Sequence, residues 1–251
     1  MKPAFGKLFL FFFLGIALFS CKKDANVADM GYNYFPTDVG KYVIYDVDST
    51  FYDGFYSPVK AVNFKFQLKE KIESIFNDNQ GRPTLRLERY VKYYDSIVPY
   101  SAQPWTLRDV WMANRNTTNA ERVEENVRIV RLIFPVRKNK TWNANAQNTY
   151  DERDFNYEYC DFSETIGSIN FTQVLQTLYN DGGTILTSRE YRTEKYARDV
   201  GLIFREEIVV ESQPKAGATS TELQAFFAKS IMQRITSGYK YTMTVHSYGT
   251  E

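Results

Sequence analysis

The 251 residues contain one histidine, His246, and two cysteines, Cys21 and Cys160, which narrows the available chemistry at once. Neither a histidine-based triad nor a multi-histidine metal site is expected from such a set. His246 follows Val245 on an expected strand, so it faces outward with Lys240, Thr242 and Thr244, a solvated position. Cys160 lies in Asn156-Tyr157-Glu158-Tyr159-Cys160-Asp161-Phe162. A cysteine nucleophile needs a base and positive charge to lower its pKa. Glu158 and Asp161 do the reverse, so Cys160 reads as a structural thiol. Asp151, Glu152 and Asp154 form the densest acidic cluster, but they lack the glycine and closing glutamate of an EF-hand loop. Paired carboxylates for glycoside hydrolysis are defined by their separation in space, which no spacing here specifies. No catalytic residue, metal ligand or cofactor is expected.

Aromatic residues are the unusual resource, with 19 tyrosines and 19 phenylalanines. Most suit half-buried strands. The run Phe51-Tyr52-Asp53-Gly54-Phe55-Tyr56 differs, because four rings on one short turn cannot easily all be buried. Exposed rings stack on sugar faces and partner surfaces, and tyrosine adds a polar tip. Phe51, Tyr52, Phe55 and Tyr56 are therefore the candidate binding surface.

The elements that must position these residues are mostly strands. Val62 to Lys69 alternates apolar and polar residues without exception, which predicts one dry and one wet face. Lys41–Val47, Thr84–Tyr94, Val127–Phe134, Leu202–Val210 and Tyr239–Val245 read as further strands. Turns are expected at Asp53-Gly54, at Asp78-Asn79-Gln80-Gly81 and at Asn180-Asp181-Gly182-Gly183. The last would close a hairpin between Asn170–Tyr179 and Ile185–Arg192. Asn139–Asn148 reads as a loop. One helix is expected over 220–236: Thr219 and Glu222 match a capping box, and Leu223, Phe226, Phe227, Ile231 and Ile235 share a stripe. Gly238 stands where a left-handed cap would end it. The expected fold is mainly β (α+β): a large antiparallel curved sheet or partly closed barrel, with the C-terminal-region helix packed on it.

Residues 1–20 carry Lys2 and Lys7 and then twelve uncharged residues from Leu8 to Phe19. That matches a secretion signal and falls short of the roughly 20 residues needed to span a bilayer. Leu18-Phe19-Ser20-Cys21 resembles the lipobox of bacterial lipoproteins, with Phe19 at a position that is normally small. The resemblance implies cleavage before Cys21 and a diacylglycerol on its sulfur. Residues 21–32 read as a flexible tether and 33–251 as a single β-rich domain. The mature 231 residues would carry 29 basic and 30 acidic side chains, a balance without the footprint of a nucleic-acid binder. Cys160 would be the only remaining thiol, so the core alone must hold the fold.

Three further segments carry a family resemblance: Tyr34-Phe35-Pro36 with Val39-Gly40-Lys41-Tyr42; Phe134-Pro135-Val136 with Lys140-Thr141-Trp142-Asn143; and Tyr196-Ala197-Arg198-Asp199-Val200-Gly201-Leu202-Ile203. Together they are similar to a group of uncharacterised Bacteroidota lipoproteins, over most of the mature chain. The resemblance implies a lipid-anchored outer-membrane protein and transfers no activity. Physically, Pro36 and Gly40 shape a turn, Pro135 ends a strand, Trp142 pins a loop and Gly201 permits a bulge. The first functional expectation is a non-catalytic binding role, the partner being a glycan, an envelope component or a protein. The second is a carrier of lipid or another hydrophobe in an apolar cavity under the helix. The third is a carboxylate-dependent hydrolase, which has no motif behind it. Radiolabelled palmitate should be incorporated by the full-length chain and lost entirely in Cys21→Ala, with the protein moving from the membrane to the soluble fraction.

Overall fold

A computed structural model describes residues 29–180 and 185–251. Cys21, the signal segment and the Asp181–Gly183 part of the expected turn lie outside the described residues. Twelve strands form one antiparallel sheet: β1 (Lys41–Asp53), β2 (Lys60–Asn77), β3 (Pro83–Tyr93), β4 (Thr106–Arg115), β5 (Asn119–Glu124), β6 (Val127–Ile133), β7 (Thr141–Asn143), β8 (Asp154–Ile166), β9 (Ile169–Asn180), β10 (Ser188–Ala197), β11 (Gly201–Glu211) and β12 (Ser237–Thr250). Their order is β6-β5-β4-β3-β2-β1-β12-β11-β10-β9-β8-β7, so every neighbour is sequential except β1 and β12, which join the two halves.

The sheet curls into a nearly closed barrel. Its two edges, β6 and β7, would otherwise present unpaired backbone groups. They are stitched instead: the Val130 amide donates to the Ala144 carbonyl at 2.9 Å, and Trp142 Nε1 donates to the Val130 carbonyl at 3.0 Å. Trp142 also stacks near Phe155 and Tyr157. Trp142 thus pins the seam, within a segment whose residues 141–143 form a strand where the sequence suggested loop alone.

One end of the barrel is closed by the chain that enters it. Tyr34 is fully buried and Phe35 nearly so. Arg115 Nη1 donates to the carbonyls of Tyr32 and Phe35, and Tyr32 packs edge-on against Phe134. Gly201 lies against Pro36, where a Cβ would come within 3.2 Å of the proline ring. The three segments of the family resemblance therefore meet at this floor. Asp29 to Tyr32, expected as tether, lie against it as well: Asp29 pairs with Arg198 at 2.6 Å, and the Val136 amide donates to the Met30 carbonyl.

Two expectations are corrected. The helix α1 spans only Ser220–Phe227, with Thr219 and Glu222 forming the expected capping box, and none of its residues is buried. It covers no core, and the Arg234 guanidinium lies 4.6 Å from the Phe226 ring centre and 5.0 Å from that of Phe227. A separate 3-10 turn, Ile231–Gln233, follows, and Gly238 belongs to β12. On β2 the clean alternation breaks down. Gln67 and Lys69 are buried alongside Phe66 and Leu68, whereas Phe64 is 52% exposed. The outer face there is covered by the Tyr42 ring under Lys69 and by the Gln67–Asp46 hydrogen bond.

Gly238 has a φ of 108°, and a Cβ there would lie 2.2 Å from the Val209 carbonyl oxygen. Gly238→Ala should therefore cost more than about 2 kcal/mol in denaturant unfolding. Gly217, also at positive φ but with nothing within 4 Å, should cost only about 1 kcal/mol as alanine.

Candidate functional site

The ladder register decides what faces the lumen. Glu70, Arg89 and Asp109 are direct cross-strand partners on β2, β3 and β4. On the opposite wall Arg205 pairs with Glu194, and Glu207 with Arg192, across β11 and β10. Residues paired in this way share a face of the sheet. The barrel thus has an apolar floor and, above it, a ring of charges in the layer where a hydrophobic core would ordinarily continue.

The ring is closely bonded. Arg89 reaches Glu70 and Asp109, each at 2.9 Å, and lies flat on the Trp111 ring, 3.4 Å from its centre. Arg122 shares the same Glu70 oxygen at 2.8 Å. Glu124 and Glu194 are each bridged by Arg131 and Arg205, with distances from 2.7 to 3.4 Å. Burial alone would raise the Glu70, Glu124 and Glu194 carboxyls. The guanidiniums outweigh it and hold all three below their ordinary range: Arg122 and Arg89 at Glu70, Arg131 and Arg205 at the other two. The three carboxyls stay ionised, as a buried ion network must if it is not to neutralise itself.

Above the ring the lumen opens into a cavity of about 350 Å³, lined by six arginines and three glutamates together with aromatic residues that include Trp111, Tyr239 and Tyr241. Arg192 bonds Glu190 and Glu207, and its Nη2 donates to the Tyr239 hydroxyl. Tyr239 is the cross-strand partner of Phe51, so the aromatic run continues the cavity wall outward. Phe51 is 47% exposed, Phe55 91% and Tyr56 49%. Phe55 and Tyr56 contact edge to face, Lys60 caps the Tyr56 ring, and the Asp53 carboxylate accepts from the Phe55 amide to hold the turn. Tyr52 is half-buried with Lys240 over its ring. Phe64 and Tyr93, both more than half exposed, extend the same lip. Sequence reasoning named the turn. It missed the arginine-lined lumen, whose signal was charge at alternate strand positions, such as Arg192 and Glu194.

A second, apolar cavity near the floor has a volume of only about 80 Å³. An engineered cavity of about 150 Å³ suffices for benzene, so this one is too small for an acyl chain. His246 is exposed and bonds Asp46 at 2.9 Å. The Cys160 thiol is pushed up to about 11, by burial first and by Asp161 second. Asp151, Glu152 and Asp154 are exposed, and among the described residues no three acidic, histidine or cysteine side chains are grouped to hold a metal.

No family model matches the chain, and no curated protein does. Among solved structures, a Bacteroides fragilis chain provisionally described as an exported protein of YmcC-like fold is similar over 86% of this chain and 98% of its own, with 7% identity and a TM-score of 0.35.

The depressed carboxyls contribute stability that is complete above the ordinary glutamate value of 4.5 and is lost as pH falls through their folded values. Near-ultraviolet circular dichroism should therefore show intact packing at neutral pH and loss of it only below about pH 4. Arg205→Met, which leaves Glu194 to Arg131 alone and Glu124 to Arg131 and Arg122, should cost on the order of 2 kcal/mol and move that loss to higher pH.

Proposed function

We propose that this chain is a lipid-anchored outer-membrane protein that binds a saccharide at the open mouth of its barrel without transforming it. Diacylglycerol on Cys21 would hold the protein, and the tether enters the fold at Asp29, on the closed floor. β1 runs from that floor to the aromatic turn, and its 13 residues amount to roughly 40 Å of extended chain. The floor, where the described chain begins at Asp29, and the aromatic lip are therefore at opposite ends of the same strand. The arrangement would present the mouth away from the bilayer.

Two features favour a lipid anchor over a polypeptide span. Among the described residues no helix is long and apolar enough to cross a membrane. The outward positions of β2 and β3 carry Lys65, Lys69, Lys71, Arg86 and Glu88, where a membrane barrel carries an apolar band.

The observation that carries the binding role is the joint exposure of Phe51, Phe55 and Tyr56 beside a polar cavity. Flat rings with charged and hydroxylated neighbours suit the apolar face and polar rim of a sugar. A hydrophobe carrier with its cavity under the helix is disfavoured because no residue of α1 is buried. A two-carboxylate hydrolase needs one carboxylic acid with a raised pKa, whereas the lumen carboxyls Glu70, Glu124 and Glu194 are all depressed.

On an array of bacterial surface saccharides the full-length protein should retain a defined subset. Phe55→Ala and Tyr56→Ala should each weaken that retention about tenfold while leaving thermal unfolding unchanged, because both rings are exposed. Retention indifferent to both substitutions, or none at all, would remove the reading.

A further inference from the structure

The cavity behind the lip has a chemistry that the exposed rings do not explain. Its six arginines face only three glutamates across the opening. Other carboxylates that balance them, Glu70, Asp109, Glu190 and Glu194, do not line it. They bond the same guanidiniums: Glu70 and Asp109 at Arg89, Glu190 at Arg153 and Arg192, and Glu194 at Arg131 and Arg205. The charge is thus nearly balanced around the cavity, while the side chains that line it are more often guanidinium than carboxylate.

Some of these guanidiniums are also incompletely bonded. Arg131 and Arg205 line the cavity, and their side chains are each 9% exposed. The Nε–H of each, like that of Arg122, has no hydrogen-bond partner among the described residues. A buried donor without an acceptor costs about 1–3 kcal/mol, but these Nε atoms are shut off from solvent, so what meets a ligand is the charge of the guanidiniums that line the opening. The planar guanidinium fork matches carboxylate and phosphate oxygens. Less buried arginines stand nearer the mouth. Arg108 is 41% exposed and reaches toward the Phe66 ring, and Arg153 is 29% exposed.

We infer that the cavity takes the acidic group of the saccharide, a carboxylate or phosphate carried on the sugar, and that the aromatic lip takes the ring. This rests on the proposed saccharide-binding function and adds the charge class of the ligand to it. The volume of about 350 Å³ lies at the small end of ligand sites, which run from about 300 to 1,000 Å³. The site therefore holds one terminal unit of a chain; it is not a channel for a polymer threaded through the barrel. The sealed floor agrees with end-on entry.

The test is a tryptophan-fluorescence titration of the full-length protein in detergent, because Trp111 lines the cavity under Arg89. Three probes are compared: an oligosaccharide ending in a uronic acid, its neutral counterpart ending in the parent hexose, and inorganic phosphate alone. The acidic sugar should bind at least about tenfold tighter than the neutral one. Arg153→Gln and Arg108→Gln should remove most of that preference. Both residues are partly exposed, so a matching thermal unfolding curve shows that the variants fold. Equal affinity for the two sugars, or a preference untouched in both folded variants, overturns the acidic assignment and leaves the saccharide-binding reading standing. A response to phosphate with none to either sugar assigns the cavity to a free anion and overturns the saccharide part. Silence to all three overturns both.

Discussion

Ion pairs placed inside a barrel are the constraint on which the rest of this structure depends. Twelve strands curled around one axis enclose more space than the apolar side chains of the floor fill, and the remainder is occupied by guanidiniums and carboxylates. Taking such groups out of water is costly, and their mutual attraction offsets the cost only when nearly every charge finds partners. The register supplies those partners. Because Glu70, Arg89 and Asp109 stand opposite one another on adjacent strands, and Arg205 faces Glu194 on the other wall, a slip of one residue would turn an entire rung of charges to the outside. Electrostatics and strand pairing therefore enforce each other.

The same arrangement gives the molecule two unlike ends. At the floor, buried rings come from positions distant in sequence: Tyr34 and Phe35 from the entering chain, Phe134 after β6, and Tyr196 at the end of β10, with Arg115 and Arg198 bonded beside them. Trp142 locks the seam a little above. At the mouth the exposed rings of Phe51, Phe55 and Tyr56 border the charged layer. The floor where the described chain enters and the exposed aromatic lip at the opposite end follow from one asymmetry, the location of the plug. The segments 34–42, 134–143 and 196–203 meet at or beside this plug, which gives their spacing a packing role.

The strands that the sequence left unread show why charge in the lumen hides the fold. On β4 the lumen-facing positions are Asp109, Trp111 and Ala113, while Leu107 and Val110 point outward and are 50% and 42% exposed. On β5 the adjacent Glu121 and Arg122 are both buried. Alternation methods look for apolar residues inward, and these strands invert or blur that sign. β8 carries repeated bulges, which break any period of two. The helix was overread for the opposite reason: Leu223 to Ile235 kept helical spacing beyond the point where the chain turns, and local periodicity cannot report that Arg234 will cover the rings instead of a sheet.

By itself the sequence determined what depends on near neighbours: the antiparallel β class, most of the long strands, the tight turn at Asp78–Gly81, the capping box at Thr219 and Glu222, and the aromatic turn after β1. Each is a matter of a few consecutive residues and the backbone they favour. Tertiary structure alone decided which charges face one another, that the barrel closes through Trp142, and that an arginine-lined cavity lies behind Phe51. Those are pairings between residues tens to hundreds of positions apart, set by ladder register and sheet curvature. An arginine on a strand reads the same whether it points to solvent or to a glutamate across a lumen.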